Sequence, residues 1–113
     1  MIFNGVKSLI NKIPVAEIAL GAVAGIVEST TAFNGNCTFQ AILEGTGAIS
    51  GTVGIQASNN GLNWITLGTI SLSGTTSATD GFASTGAWAF HRAYVAQNGI
   101  TGTNATITVL MGS

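Results

Sequence analysis

Between residues 49 and 74 the chain reads ISGTVGIQASNNGLNWITLGTISLSG, and few folds can hold such a segment. Val53, Ile55 and Ala57 alternate with Thr52, Gly54 and Gln56, the period of two that turns one face of a strand inward. Ser58-Asn59-Asn60-Gly61 follows, and an Asn-Gly pair readily takes positive φ at both central positions of a turn, so a hairpin is predicted here. The chain resumes with Leu62, Trp64 and a short strand over residues 65–67, and Gly68 precedes another over residues 69–72. Trp64 is the expected anchor of this nucleus, because a Trp ring buries about 150–250 Å².

The rest of the chain extends the pattern. Asn34-Gly35-Asn36 predicts a turn. Over residues 37–44, Cys37, Phe39, Ala41 and Leu43 share one face of a half-buried strand, and Gly45-Thr46-Gly47 is expected to turn it into the central segment. The run TTSATDGFASTGAW reads as a loop, with a turn at Asp80-Gly81 and Phe82 as an apolar plug. Residues 88–96 form a strand with Trp88, Phe90, Arg92 and Tyr94 on one face and His91, Ala93 and Val95 on the other. Gln97-Asn98-Gly99 turns again, and Ala105, Ile107, Val109 and Met111 alternate to the end. Ile49-Ser50-Gly51-Thr52 is echoed by Ile100-Thr101-Gly102-Thr103, an indication of related strand geometry. Seven or eight short strands separated by Gly/Asn turns predict an all-β, antiparallel β-sandwich or jelly-roll-like domain over residues 15–113.

Residues 1–14 differ. Val6, Leu9, Ile10 and Ile13 fall at i, i+3, i+4 and i+7, one face of a short helix that Asn4 would cap and Pro14 would stop. An extended apolar arm is the other reading. In either form Ile2, Phe3, Val6, Leu9, Ile10 and Ile13 are surplus to the sandwich, and they are expected to lie against a neighbouring subunit or the surface on which the subunit assembles. Residues 15–27 (VAEIALGAVAGIV) are too few to span a bilayer. Glu17 within them argues against a secretory leader. One or two buried strands are expected, with Gly21 and Gly25 marking bends or close approach.

Composition narrows the function. Of 113 residues only three are Lys or Arg and four Asp or Glu, 6% of the chain against an ordinary quarter or so. Soluble monomers rely on a charged surface to stay dispersed. A Thr-, Ser-, Asn- and Gly-rich exterior therefore points to a subunit that assembles, as a dimer or trimer. A net charge of −1 lacks the basic footprint of nucleic-acid binding. A single Cys37 with a single His91 supports neither an internal disulfide nor a zinc site, and no cofactor motif occurs. The acidic residues are scattered, and neither Gly-x-Ser-x-Gly nor a local Cys/His signature is present. The sequence thus predicts a protein without catalytic, metal or cofactor residues.

The structural anchors expected are Trp64, Trp88, Arg92 and Asp80. Arg92 shares a face with Trp88 and Tyr94, where its guanidinium would stack on an aromatic ring or pair with Asp80. The two tryptophans are expected in the core; a sugar-stacking platform is the alternative.

The runs SNNGLNWITLGTISLSGT, TDGF, HRAYV and the closing ATITVLMG resemble small β-rich structural proteins of tailed bacteriophages, especially those that decorate or cement a capsid shell. The likeness covers roughly residues 48–113. It implies a jelly-roll-like fold, no enzymatic activity, a place on the virion, and contacts with copies of itself and a major capsid protein. The Ser-Asn-Asn-Gly-Leu-Asn-Trp run is also similar to a hairpin of discoidin-like carbohydrate-binding modules, in which it serves as framework. That second likeness implies a glycan-binding or host-recognition module of a tail, neck or fibre.

Overall fold

The computed structural model describes residues 6–28, 36–86 and 88–112. One hairpin organises them: β3 (Asn36–Ser58) and β4 (Ile65–Thr85) pair antiparallel along almost their whole length. The remaining elements are β1 (Val6–Pro14), the single-turn α1 (Val15–Ile18), β2 (Val23–Glu28), β5 (Phe90–Val95) and β6 (Ile100–Gly112). The six strands form one antiparallel sheet of order β1-β6-β3-β5-β2, in which β4 also pairs with β3. β6 runs beside the first part of β3 and β5 beside its end. The sheet folds over on itself into a nearly closed sandwich, the all-β class that the alternation predicts. Phe39, Leu43, Val53, Ile55, Ile107 and Val109 fill the space between its layers.

The fold of β3 comes from a bulge rather than the turn expected at Gly45-Thr46-Gly47. Glu44 pairs with Ser77 and Ala48 with Thr75, so β3 carries two more residues than β4 across the bend. An even insertion keeps the side-chain parity, and Leu43, Ile49 and Val53 all stay inward. The expected loop after Gly74 is likewise strand through Thr85. Small and polar residues there mimic a loop in composition, yet they pair with residues 36–44 in continuous register, and the Thr79 hydroxyl donates to the Ala41 carbonyl at 3.0 Å. Phe82 is a plug, as expected: it stacks on Phe39 at 5.5 Å and lies under Gly68, where an added Cβ would come within 2.7 Å of its ring.

The echoed segments pack on one another. Ser50 pairs with Thr101 and Gly51 with Ile100. A Cβ at Gly51 would strike the Ile100 methyl at 2.7 Å, and one at Gly102 the Ile49 methyl at 2.6 Å. Each Ile occupies the room that the other segment's glycine leaves, and both isoleucines are buried.

The expectation of a surplus helix or arm over residues 1–14 requires correction. Ile2 and Phe3 lie outside the described residues. Val6–Pro14 is a strand on β6, and Leu9 and Ile10 are core residues. The helical spacing arises from bulges: Ile10 faces Val109 and Ile13 faces Ile107, three residues on β1 against two on β6, with Lys12 at φ 48° between them. Inserting one residue brings i and i+3 to one face of a strand, which is the periodicity of a helix. Val6 is exposed. The segment 15–27 divides into α1, whose fully buried Ile18 caps one end of the core, and β2. At Gly25 the two outer strands meet: an added Cβ would lie 1.6 Å from the Leu9 carbonyl oxygen of β1. Close approach, expected for this glycine, is what the structure shows.

Candidate functional site

β5 sorts its side chains by parity. His91, Ala93 and Val95 are buried, while Phe90, Arg92 and Tyr94 are partly exposed on the opposite, outer face. Arg92 sits opposite Ile26 of β2 and Gln56 of β3; Tyr94 sits opposite Ala24 and Gly54. The loop before β4 then adds Trp64. Its ring lies 4.4 Å from the Arg92 guanidinium carbon, and the Tyr94 ring 5.6 Å away. Arg92 Nε donates to Gln56 Oε1. A cation over an aromatic ring is attracted by its quadrupole, so two rings and an amide fix the guanidinium in place. Ala24 and Gly54 flank Tyr94 with little bulk, and Ile26 is 56% exposed. The result is a shallow outer face on β2, β5 and β3 with a braced cation at its centre.

The loop that delivers Trp64 is built by side-chain capping. Buried Ser58 accepts from the Gly61 amide at 3.0 Å. Asn60 Oδ1 accepts from the amides of Leu62 and Asn63, each at 2.9 Å, and Asn59 Oδ1 holds the Ala89 amide at 3.0 Å. Only Gly61 of the Asn-Gly pair takes positive φ. The connection is therefore an Asn-capped loop rather than the expected two-residue turn.

The expected anchors take different places. Arg92 stacks on aromatic rings, but on Trp64 and Tyr94. Among the described residues it makes no ion pair with Asp80, whose exposed carboxylate accepts from the Gly81 amide at 2.8 Å. Neither tryptophan is a core residue: both are partly exposed, and Trp88 packs beside Gly86. Among the described residues the buried aromatic of the core is Phe39. Gln56 and Ile26 were not singled out by the sequence, although the outward parity of Gln56 was visible.

Behind this face, Cys37 Sγ lies 3.9 Å from His91 Nε2, and the imidazole is 5.6 Å from the Phe39 ring. Burial pushes the Cys37 thiol up and the His91 imidazole down, so both are held neutral. A nucleophilic Cys/His pair needs the opposite shifts and an approach for substrate, whereas both residues are closed off in the core. Among the described residues no three His, Cys, Asp or Glu side chains gather as a metal site, and no helix is long and apolar enough to cross a membrane.

No family model matches the sequence, and no curated protein matches it. Among solved structures, the fold is similar to that of the PBSX exported protein XepA, with a TM-score of 0.61 and 12% identity over 96% of this chain and 36% of that one. This chain thus spans about a third of the XepA chain. More distant likenesses are a CBM4 structure (TM-score 0.45, 10% identity, 80% and 56% of the two chains) and a Bacillus endospore appendage protein (0.41, 12%, 96% and 85%). The similarity to XepA is one of fold: an antiparallel β module.

Proposed function

We propose that the protein is a non-enzymatic structural component of a phage virion, a capsid decoration or cement module that grips its partner through the outer face of β2, β5 and β3. The observation that carries this reading is the Arg92 guanidinium braced by Trp64, Tyr94 and Gln56. Trp, Tyr and Arg dominate the energetic centres of protein interfaces, and here they stand partly exposed, Arg92 and Tyr94 on β5 and Trp64 on a side-chain-capped loop, so that much of their ordering is already met by the fold. The scarcity of charge supports a surface meant to be covered. The resemblance of residues 48–113 to phage shell proteins supports the setting, and the fold shared with the PBSX exported protein XepA supports a β module. The partners are a major capsid protein and copies of the chain, and the location is the capsid surface.

A second reading, glycan or host recognition by a tail, neck or fibre module, is favoured by one feature. Ala24 and Gly54 leave room beside Tyr94 for a planar ligand to stack. Cosedimentation with capsid shells of the parent phage, set beside binding to a glycan array, separates the two. Loss of shell binding on Arg92→Ala supports decoration; glycan binding lost on Tyr94→Ala, with no shell binding, supports recognition.

A further inference from the structure

We infer that the outer face of β5 holds a carboxylate site, in which the two Nη groups of Arg92 grip the side chain of an Asp or Glu on the partner's surface. The inference deepens the proposed interface and rests on it for the partner being a protein; the site itself rests on the surroundings of Arg92. Its Nε donates to Gln56 Oε1, which occupies the side-on edge of the guanidinium fork. The flat side lies over Trp64, 4.4 Å from the ring centroid, with the Tyr94 ring at 5.6 Å. What is left is the end-on edge, two parallel N–H bonds in the guanidinium plane. Among the described residues no acceptor or carboxylate meets them. No buried side-chain nitrogen lacks a partner there either, so the unpaired Nη groups open to solvent.

The rest of the face selects the ligand. A carboxylate is planar and accepts two parallel hydrogen bonds, which matches the end-on edge of a guanidinium. Bonds made in that plane leave the stacking on Trp64 undisturbed. A polyphosphate or nucleic-acid backbone is held by several cations together, whereas Arg92 is one of three in the chain. The other two, Lys7 and Lys12, lie on β1. That strand meets β2 at Gly25, on the inward side that Gly25 shares with buried Ala93. Ile26, opposite Arg92 and 56% exposed, adds a branched aliphatic surface beside the charge. A protein partner covers such a surface; sugar hydroxyls gain nothing from it. Covering Ile26, Trp64 and Tyr94 shuts water out, and a charge pair kept from water is stronger than one left in solvent. Held in place beforehand, the guanidinium loses little freedom on pairing.

The test is an NMR titration of the isotope-labelled full chain with the tripeptide acetyl-Gly-Glu-Gly amide, its Gln counterpart and methyl glucuronide, all at constant ionic strength. The signals followed are the Arg92 Nε–H and the Trp64 indole N–H. The Glu peptide should shift both saturably and bind at least about tenfold more tightly than the Gln peptide. Arg92→Gln should abolish the response at Trp64, and Arg92→Lys, which keeps the charge and loses the fork, should weaken it. No saturable shift, an equal response to the Gln peptide, or full binding by Arg92→Lys overturns the inference. Tighter binding of the glucuronide than of the Glu peptide overturns it too, in favour of an acidic sugar. Should either variant fail to fold, the comparison of Glu and Gln peptides on wild type decides. Cosedimentation with capsid shells is read separately. Shell retention without binding of the Glu peptide overturns the site and keeps the capsid reading; binding of the Glu peptide without shell retention supports the site and contradicts that reading.

Discussion

His91 is a titratable side chain placed where its charged form is disfavoured. Its side chain is fully buried, and burial holds its pKa below the ordinary value of about 6.5. The unfolded chain therefore takes up a proton more readily than the folded one. The stability this neutral imidazole contributes is complete above about pH 6.5 and declines as pH falls toward the folded pKa, by at most about 1.4 kcal/mol per pH unit. Urea denaturation from pH 7 to pH 5 should show that decline in wild type and a flatter profile in His91→Phe. Equal slopes would mean that folding leaves the His91 pKa where the unfolded chain has it. Parity along residues 90–95 was enough to place His91 inward and Arg92 outward from sequence. It was not enough to pair Arg92 with Trp64, because that contact depends on a loop shape set by Ser58, Asn59 and Asn60. A preference for buried tryptophan misplaced both rings, since large aromatics satisfy burial statistics when only one side is covered.

Among the elements, β1 is integral to the domain rather than an appendage to it. Leu9 and Ile10 are core residues, each worth about 1.5–3 kcal/mol of burial, and β1 also covers the edge of β6. Against a typical total stability of about 5–15 kcal/mol, removing residues 1–14 should abolish cooperative thermal unfolding. A truncated chain that still melts cooperatively would show that β1 is dispensable after all. The same seam offers a finer probe. Gly25→Ala places a methyl into the Leu9 carbonyl, and the backbone shift required should cost about 1–3 kcal/mol in chemical denaturation; an unchanged midpoint would mean that β1 and β2 do not abut there. Strands with strict alternation, residues 37–44 and 105–111, were legible in sequence because their pairing is regular. β1 and the later half of β4 were not. Bulges gave the first a helical spacing, and the Ser, Thr, Ala and Gly of the second carry no hydrophobic period, their strand state being imposed by register with β3.

At the scale of the whole molecule, a chain with little charge folds into a sandwich that carries one braced aromatic-cationic face. The low charge and the all-β class were legible in the sequence. The face proposed to meet a partner was not, because it is assembled from residues 26, 56, 64, 92 and 94, brought together by strand pairing and by the loop before β4. The reading as a shell-binding module rests on that face. Its most direct test is cosedimentation of the purified protein with capsid shells of the parent phage, for wild type, Arg92→Ala and Trp64→Ala, with thermal melts confirming that each variant is folded. The expected result is retention of wild type on shells and a loss of affinity of at least about tenfold in both variants, the scale of an interface hot spot. Equal retention of all three proteins, or no retention of wild type, would contradict the account.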